Sequence, residues 1–492
     1  ESPVEESGCW RPLCMRLYKP HTQNSESHRY ILFQAQMRLY SFSLADFRIN
    51  HFFDIIYTTM KTPNIVYIHT HDLGRYCQPM GYDFPAPNLM RLARQGTLFR
   101  QCHASAPSCA PSRAALVTGE YPHVCGMLGL PMPDMAYQLN DYSHHLAKFL
   151  HDQGYITALS GMQHVAFAPW APPEDHLPYD FLLNHTPTEQ QIFDPDKTVP
   201  AAVDFILGAH DRPFFLSVGF LDPHRDNRDD PRIFIESQPA FEPADIDEKA
   251  RYCLPWPHMP DNQITRREMA NFKMGVELMD NDVGRLLLAL DTPELRANTL
   301  VIFTTDHGPG VCEMKCTLTD RGTGVITIIR GPQDERYAAA TAFNGGKVID
   351  ALTQHLDIFP TICDLIGAQP PPWLSGKSLM PLVTSEKESI HEVIFTEQTY
   401  HADRRPRPYR AVRSDRYKYI RCYDSGLPRG VDRGPAQEFW EAHGYLEMPI
   451  PEEMLFDLVF DPHEANNLAD SPQHFDILQE MRRHLRLSLI HI

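Results

Sequence analysis

An α/β fold, one large layered domain followed by a smaller one, is what the order of patterns along this sequence predicts. Short β-branched and aromatic runs recur between helical patterns, as they do when strands alternate with helices that cross back over a sheet. Three of these runs end in polar clusters: Thr70-His71-Asp72, Leu221-Asp222-Pro223-His224-Arg225 and Thr305-Asp306-His307-Gly308. Open α/β sheets bind ligands beyond the carboxyl ends of their strands, so the clusters mark one candidate site. With 492 residues, 42% of them hydrophobic, the chain has ample material for a buried core.

In chain order, Asn64–His69, Phe214–Phe220, Leu300–Thr305 and Val325–Ile329 read as buried strands. Between the second and third, Met279, Val283, Leu286, Leu287 and Leu290 recur at helical spacing and make a stripe that covers a sheet. Leu352–Gly367 reads as an amphipathic helix stopped by its glycine, before Gln369-Pro370-Pro371-Pro372 breaks the chain. Val393–Glu397 and the two arms of Tyr409–Ile420 read as antiparallel strands, and the tail from His474 as a closing helix. This places a catalytic domain at 60–385 and a C-terminal α+β subdomain at 386–492. Residues 1–59, balanced in acidic and basic residues and without a clear period, read as an appendage ahead of Met60.

Sixty-three acidic residues against 45 basic ones give a net charge of −18. That balance argues against a general nucleic-acid binder, and the lack of any run of about 18 apolar residues argues against a membrane-spanning helix. An anionic substrate must therefore meet a local cluster of positive groups. The eleven cysteines are scattered without CxxC pairs, which favours free thiols in a reducing compartment. No secretory signal pattern is visible at Glu1 or before Met60, so a cytoplasmic location is expected.

The stretch Pro107-Ser108-Cys109-Ala110-Pro111-Ser112-Arg113 carries the most chemistry. A proline two residues on puts Cys109 in an extended or turn segment, and Pro111-Ser112 suits the first turn of a helix. Cys109 then faces the positive end of that helix, and Arg113, one turn in, adds a fork of donors matched to an oxyanion. A purely structural thiol is the alternative. The cysteine loop of tyrosine phosphatases spaces its Cys and Arg more widely and does not fit.

Cys109-x-Pro-Ser-Arg113 followed by Leu116-x-Thr118-Gly119 closely resembles the signature of type I sulfatases. The likeness runs from Asn64 to the C-terminal helix, through Asp357-Ile358-x-Pro360-Thr361, Gly376-x-Ser378-Leu379 and Leu455-Phe456-Asp457-Leu458. It implies an alkaline-phosphatase-like large mixed sheet flanked by helices, with a smaller C-terminal α+β domain. It also implies that a maturation enzyme oxidises Cys109 to formylglycine, whose hydrated aldehyde attacks sulfur beside one divalent metal ion. Pro213-Phe214-Phe215-Leu216, Asp222-Pro223-His224-Arg225 and Tyr179-Asp180-Phe181 resemble the heparan N-sulfatase (sulfamidase) branch most.

Carried over position by position, the resemblance makes His164 a sulfate-binding histidine and His224 the one that assists the leaving group. It makes Lys315 the basic residue after the second metal strand. Met162 stands where better-known sulfatases have a sulfate-contacting lysine, so another cation, Arg75 or Arg225, is a candidate to compensate. The metal positions are His71, Asp72, Asp306 and His307. The family's oxygen ligands suit calcium, and two imidazoles in their place shift the preference toward manganese, zinc or iron. Alternatively His71 stands behind the other three as a supporting donor.

The expected activity is hydrolysis of sulfate esters or sulfamates of a sulfated carbohydrate, a small substrate, with neither nucleic acid nor membrane as partner. Asp306-His307 keeps a phosphodiesterase or phosphonate monoester hydrolase as a rival, and a catalytically silent sulfated-glycan-binding protein is the rival outside enzymes. The loops Tyr252–Asp261 and Tyr400–Tyr409 are expected at the substrate rim.

Overall fold

Strand β1 (Asn64–Thr70) lies at the centre of a nine-stranded mixed sheet and is buried along its whole length in this computed structural model. The structure describes residues 62–131, 137–166, 176–184, 195–225, 243–402, 406–425 and 434–489. The appendage expected at 1–59 lies outside them. Beside β1 run β2 (Thr97–His103), β3 (Ile156–Gly161), β4 (Phe181–Leu182), β5 (Phe214–Gly219), β6 (Thr299–Thr305), β7 (Gly324–Arg330), β8 (Lys347–Ile349) and β9 (Thr353–Gln354). Their order is β4-β3-β5-β1-β6-β7-β2-β8, with β9 also on β2. The run β4-β3-β5-β1-β6 is parallel, and β7 is antiparallel to both β6 and β2.

Alternation along the strands builds two cores. Val66, Ile68, Val301 and Phe303 face one layer, where α1 (Pro87–Gln95) and the long α3 (Gln263–Leu290) pack. Ile65, Tyr67, Leu300 and Ile302 face the other, closed by α4 (Ile358–Ile366). Strands covered on both faces must be apolar throughout, which is why they read as continuous hydrophobic runs. The stripe Met279, Val283, Leu286, Leu287 and Leu290 is buried in the first layer as expected.

A second sheet is antiparallel, in the order β10 (Ile394–Gln398), β11 (Tyr409–Arg413), β12 (Tyr417–Cys422) and β13 (Glu453–Asp457), and the helix Phe475–Leu489 contacts it. Lys61–Ile492 is a single compact unit containing both sheets. The expected helix over Leu352–Gly367 begins later than its apolar pattern suggested. Thr353 and Gln354 pair with β2, and His355–Asp357 make a helical turn closed by the Gln354 N–H donating to Asp357 Oδ2 at 2.8 Å. Gly376 of the Gly-x-Ser-Leu motif is required by close approach, because a Cβ there would lie 2.0 Å from the Leu356 carbonyl oxygen. The nine described cysteines are free thiols, and none of the described helices is long and apolar enough to cross a membrane.

Candidate active site

Four parallel neighbours, β3, β5, β1 and β6, end at one edge of the large sheet, and the chemistry sits just past those ends. Thr70 and Thr305 are register partners, so the next residues, His71-Asp72 and Asp306-His307, emerge side by side. Asp306 Oδ1 accepts from the N–H of Asp72 at 2.9 Å and from its neighbour His307 at 2.8 Å, which locks the two strand ends together. Gly219 at the end of β5 has no room for a side chain: a Cβ would lie 1.9 Å from the Met162 carbonyl oxygen. Asp72 and His164 hold left-handed backbone conformations, with φ of 54° and 66°. Strain of this kind in non-glycine residues gathers at functional sites.

Helix α2 (Cys109–Thr118) brings Cys109 to the same edge. It starts at Cys109 itself, with Ser108 at the N-cap, two residues before the Pro111-Ser112 pair that suggested its first turn. The Cys109 thiol stands where maturation would place the formylglycine oxygens. One donor atom from each of His71, Asp72, Cys109, Asp306 and His307 falls within a mutual 4.8 Å, all buried. His71 Nδ1 is 2.7 Å from Asp72 Oδ1 and 3.2 Å from Asp306 Oδ2, and His307 Nε2 is 3.3 Å from Cys109 Sγ. The other nitrogen of His307 donates to the Gly308 carbonyl at 2.8 Å, which aims an Nε2 lone pair at the cluster.

The electrostatics suit a cation. Burial drives His71 far below its ordinary pKa against the pull of Asp306, and burial likewise lowers His307, so both imidazoles are neutral. Burial alone would raise Asp306, but His307, His71 and Arg113 outweigh it and hold the carboxyl well below the usual range. The ionised Asp306, the carboxyl of Asp72 and two neutral imidazoles buried together, with His71 Nε2 lacking a hydrogen-bond partner among the described residues, fit a divalent ion better than any neutral occupant.

Positive groups ring the cluster. Arg113 donates from Nε to Asp306 Oδ2 at 3.2 Å and from a terminal nitrogen to the Thr70 carbonyl at 2.8 Å, and its other terminal nitrogen meets His69 Nδ1. Lys315 Nζ is 3.1 Å from Asp72 Oδ2 and 3.3 Å from His224 Nε2. The His164 ring centroid lies 5.4 Å from that of His71, and burial, helped by Arg113 and His224, pushes His164 down to about 3. Met162 is buried at the end of β3. Neither proposed compensating cation is directed here: Arg225 pairs with Glu268, and Arg75 faces Asp320 at 3.9 Å. Lys315, buried, is brought to the cluster alongside Arg113.

Three contributors escaped the sequence reading. His69 holds Arg113, Ser112 Oγ donates to the Asp306 carbonyl at 2.6 Å, and His355 Nδ1 lies 3.4 Å from Ser112 Oγ. Of the two loops expected at the rim, Tyr252–Asp261 is described throughout, and Tyr400–Tyr409 only outside residues 403–405.

A mixed sheet with a buried dicarboxylate-diimidazole cluster and a cysteine at a helix N-terminus is the architecture of a hydrolase of the alkaline-phosphatase type. The sulfatase family model matches residues 63–368, and a model described as N-sulphoglucosamine sulphohydrolase, C-terminal, matches 330–427. The chain belongs to the sulfatase family and is a sulfuric ester hydrolase, which implies a metal ion and formylglycine at this cluster. Human N-sulphoglucosamine sulphohydrolase is 27% identical over 81% of this chain and 84% of its own length. An ulvan-active sulfatase of Formosa agariphila is 28% identical over 86% and 74%. A solved structure bound to its substrate D-glucosamine-2-N,6-O-disulfate shares the fold at a TM-score of 0.65, with 18% identity over 87% of this chain and 97% of that one.

Proposed function

We propose that this enzyme removes sulfate from a sulfated amino sugar, N- or O-linked, through formylglycine formed at Cys109 by a dedicated maturation enzyme. The observation that carries it is the convergence of Cys109, His71, Asp72, Asp306 and His307 in one buried cluster flanked by Lys315 and His224. The amino-sugar class is supported by relatives whose names specify glucosamine sulfates and by the C-terminal model match.

His71, Asp72, Asp306 and His307 would hold the ion, which supplies Lewis-acid polarisation of the nucleophile and the sulfate oxygens. Two soft nitrogen donors favour manganese, zinc or iron over calcium. Arg113 orients Asp306 through Nε and fixes the end of β1 through Thr70, so the cluster stays assembled when charge builds on the transferred group. Lys315 lies between Asp72 and His224, placed to neutralise a sulfate oxygen. His224 acts as the general acid and gives its own ring proton to the departing oxygen or nitrogen. His164, neutral and buried, offers a hydrogen bond to sulfate rather than a charge.

The test is sulfate release by matured protein from glucosamine N-sulfate, glucosamine 6-O-sulfate and an aryl sulfate. Release from either sugar supports the reading, and release from the aryl sulfate alone overturns the amino-sugar class. His307 in the metal cluster also favours a second reading, phosphodiester hydrolysis, and faster turnover of a matched aryl phosphodiester than of the aryl sulfate would establish it.

A further inference from the structure

The loop Cys312–Cys316 faces two ways. Lys315 reaches Asp72 in the catalytic cluster, while Glu313, in a left-handed conformation with φ of 59°, lines a separate cavity of about 900 Å³. Glu313 and Lys315 are two residues apart, so their backbones are separated by at most about 7 Å. The other walls come from the segment Pro257–Pro260, from residues Phe439, Trp440 and Tyr445, and from Asp461 beyond β13. His258 Nε2 is 3.0 Å from the Cys312 carbonyl oxygen, which ties the first wall to the loop.

The lining has the composition of a carbohydrate site. Trp440 and Tyr445 meet edge to face, with centroids 5.1 Å apart, and with Phe439 they give a rigid apolar wall for the C–H face of a sugar ring. Around it stand fixed polar groups. Glu313 Oε1 accepts from the Tyr445 hydroxyl at 2.7 Å, Asp461 Oδ2 accepts from the Asn466 N–H at 2.8 Å, and Arg321 Nε donates to the Glu313 carbonyl at 3.1 Å. A carboxylate accepts several hydrogen bonds, so such groups bind vicinal hydroxyls. An apolar wall with a few pre-placed polar groups, in a volume of this size, is the usual build of a small-ligand site.

The charge balance selects the kind of sugar. Glu464 at the cavity wall is compensated by Lys418 at 2.9 Å, and among the described lining residues the guanidinium of Arg321 and the imidazoles of His258, His443 and His463 stand beside the carboxylates of Glu313 and Asp461. That lining disfavours a sulfated ring, in contrast to the Lys315 side of the same loop. We propose that this cavity is a subsite for an uncharged pyranose residue carried by the same glycan as the sulfated one. The proposal rests on the carbohydrate reading above and adds a second recognition element to it.

Saturation-transfer NMR and calorimetry on the full chain, with the neutral disaccharides of N-acetylglucosamine, galactose and glucose as probes, test it. At least one probe should bind with a dissociation constant on the order of 1 mM. Trp440→Ala and Glu313→Gln should each weaken that binding by about tenfold or more; the second removes only a charge and guards against a folding defect in the first. No binding by any probe, or undiminished binding by either folded variant, overturns the proposal. Binding is read whether or not Cys109 is matured, so a failure of the sulfatase reading would show separately, as absence of sulfate release.

Discussion

Ser108 Oγ and His401 Nδ1 lie 2.9 Å apart, both side chains buried, across 293 residues of sequence. Ser108 is the N-cap of the helix that presents Cys109, yet its hydroxyl bonds His401 instead of capping that helix. The segment around His401 is further pinned by Tyr400 N–H to Leu128 O at 3.0 Å and Leu130 N–H to His401 O at 3.1 Å. His401 is thus a positioning residue, delivered from the loop after β10 to the residue next to Cys109. His401→Ala leaves a buried hydroxyl without its partner, a loss of about 1–3 kcal/mol. We expect a lower melting temperature together with a fall in kcat at little-changed KM, and restoration of kcat by His401→Asn. Equal kcat in the Ala variant and wild type would refute the assignment.

Cys109→Ala should remove turnover almost completely, by a factor on the order of 10⁴ or more, since the proposed mechanism forms its nucleophile at this residue. The thiol makes its 3.3 Å contact with His307 at the cluster edge and no structural disulfide, so the melting temperature should move little. Sulfate release and a thermal melt on the same preparation check both halves.

Metal preference follows from the donor set. After chelation, activity should return more fully with manganese or zinc than with calcium, and replacing both imidazoles, His71→Asp with His307→Asn, should reverse that order. Ion binding at a hundredfold excess over its dissociation constant adds about 2.7 kcal/mol of stability, so the chelated protein should melt lower. Full recovery with calcium alone in the unaltered protein would overturn the preference.

Much of this site was legible because strand ends announce themselves. His71, Asp72, Asp306 and His307 each follow a continuous apolar run, and the register of Thr70 with Thr305 brings the two pairs together. Residues contributed by distant segments were not legible. His69 read as one more strand residue, and its bond to Arg113 depends on how α2 lies against β1. Lys315 sits in an irregular loop whose neighbours Glu313 and Cys316 have positive φ, conformations with no hydrophobic period to betray them. Only the family resemblance singled it out. Pattern also misplaced the start of α4, because the residues before Ile358 serve a strand pairing at Thr353–Gln354 and a helical turn at His355–Asp357.

The two sheets are joined by a buried charge cluster. Asp320 accepts from Arg413 at 3.1 Å on each oxygen, bonds Lys418, and has His103 and Arg75 within 3.8 and 3.9 Å. Burial would raise this carboxyl, but Arg413 and Lys418 prevail and hold it well below the usual range. Arg413 is on β11 and Lys418 on β12, so Asp320→Asn takes the carboxylate from buried Arg413 and leaves buried Lys418 with Glu464 alone. A loss of about 3–5 kcal/mol is expected, measured by urea unfolding at neutral pH. Because the folded pKa is depressed, the contribution is present above the carboxylate's unfolded pKa and fades only in strong acid. A change under about 1 kcal/mol would show that the cluster is dispensable.

Stability at mildly acidic pH should instead be governed by buried neutral histidines. His145 caps the helix Leu146–Asp152, its Nδ1 accepting from the Ala147 N–H at 3.0 Å, and burial pushes it from 6.5 down to about 3. A proton on Nδ1 would abolish that acceptor. The unfolded chain binds a proton below pH 6.5 while the folded chain does not, so stability is highest above 6.5 and declines as pH falls toward 3. The slope is about 1.4 kcal/mol per pH unit, or roughly 2 kcal/mol at pH 5 from this one residue. His145→Asn keeps a cap acceptor and removes the titration. Urea midpoints of wild type and variant should therefore diverge at pH 7 and converge by about that amount at pH 5; parallel pH dependence of the two would exclude His145 as the source.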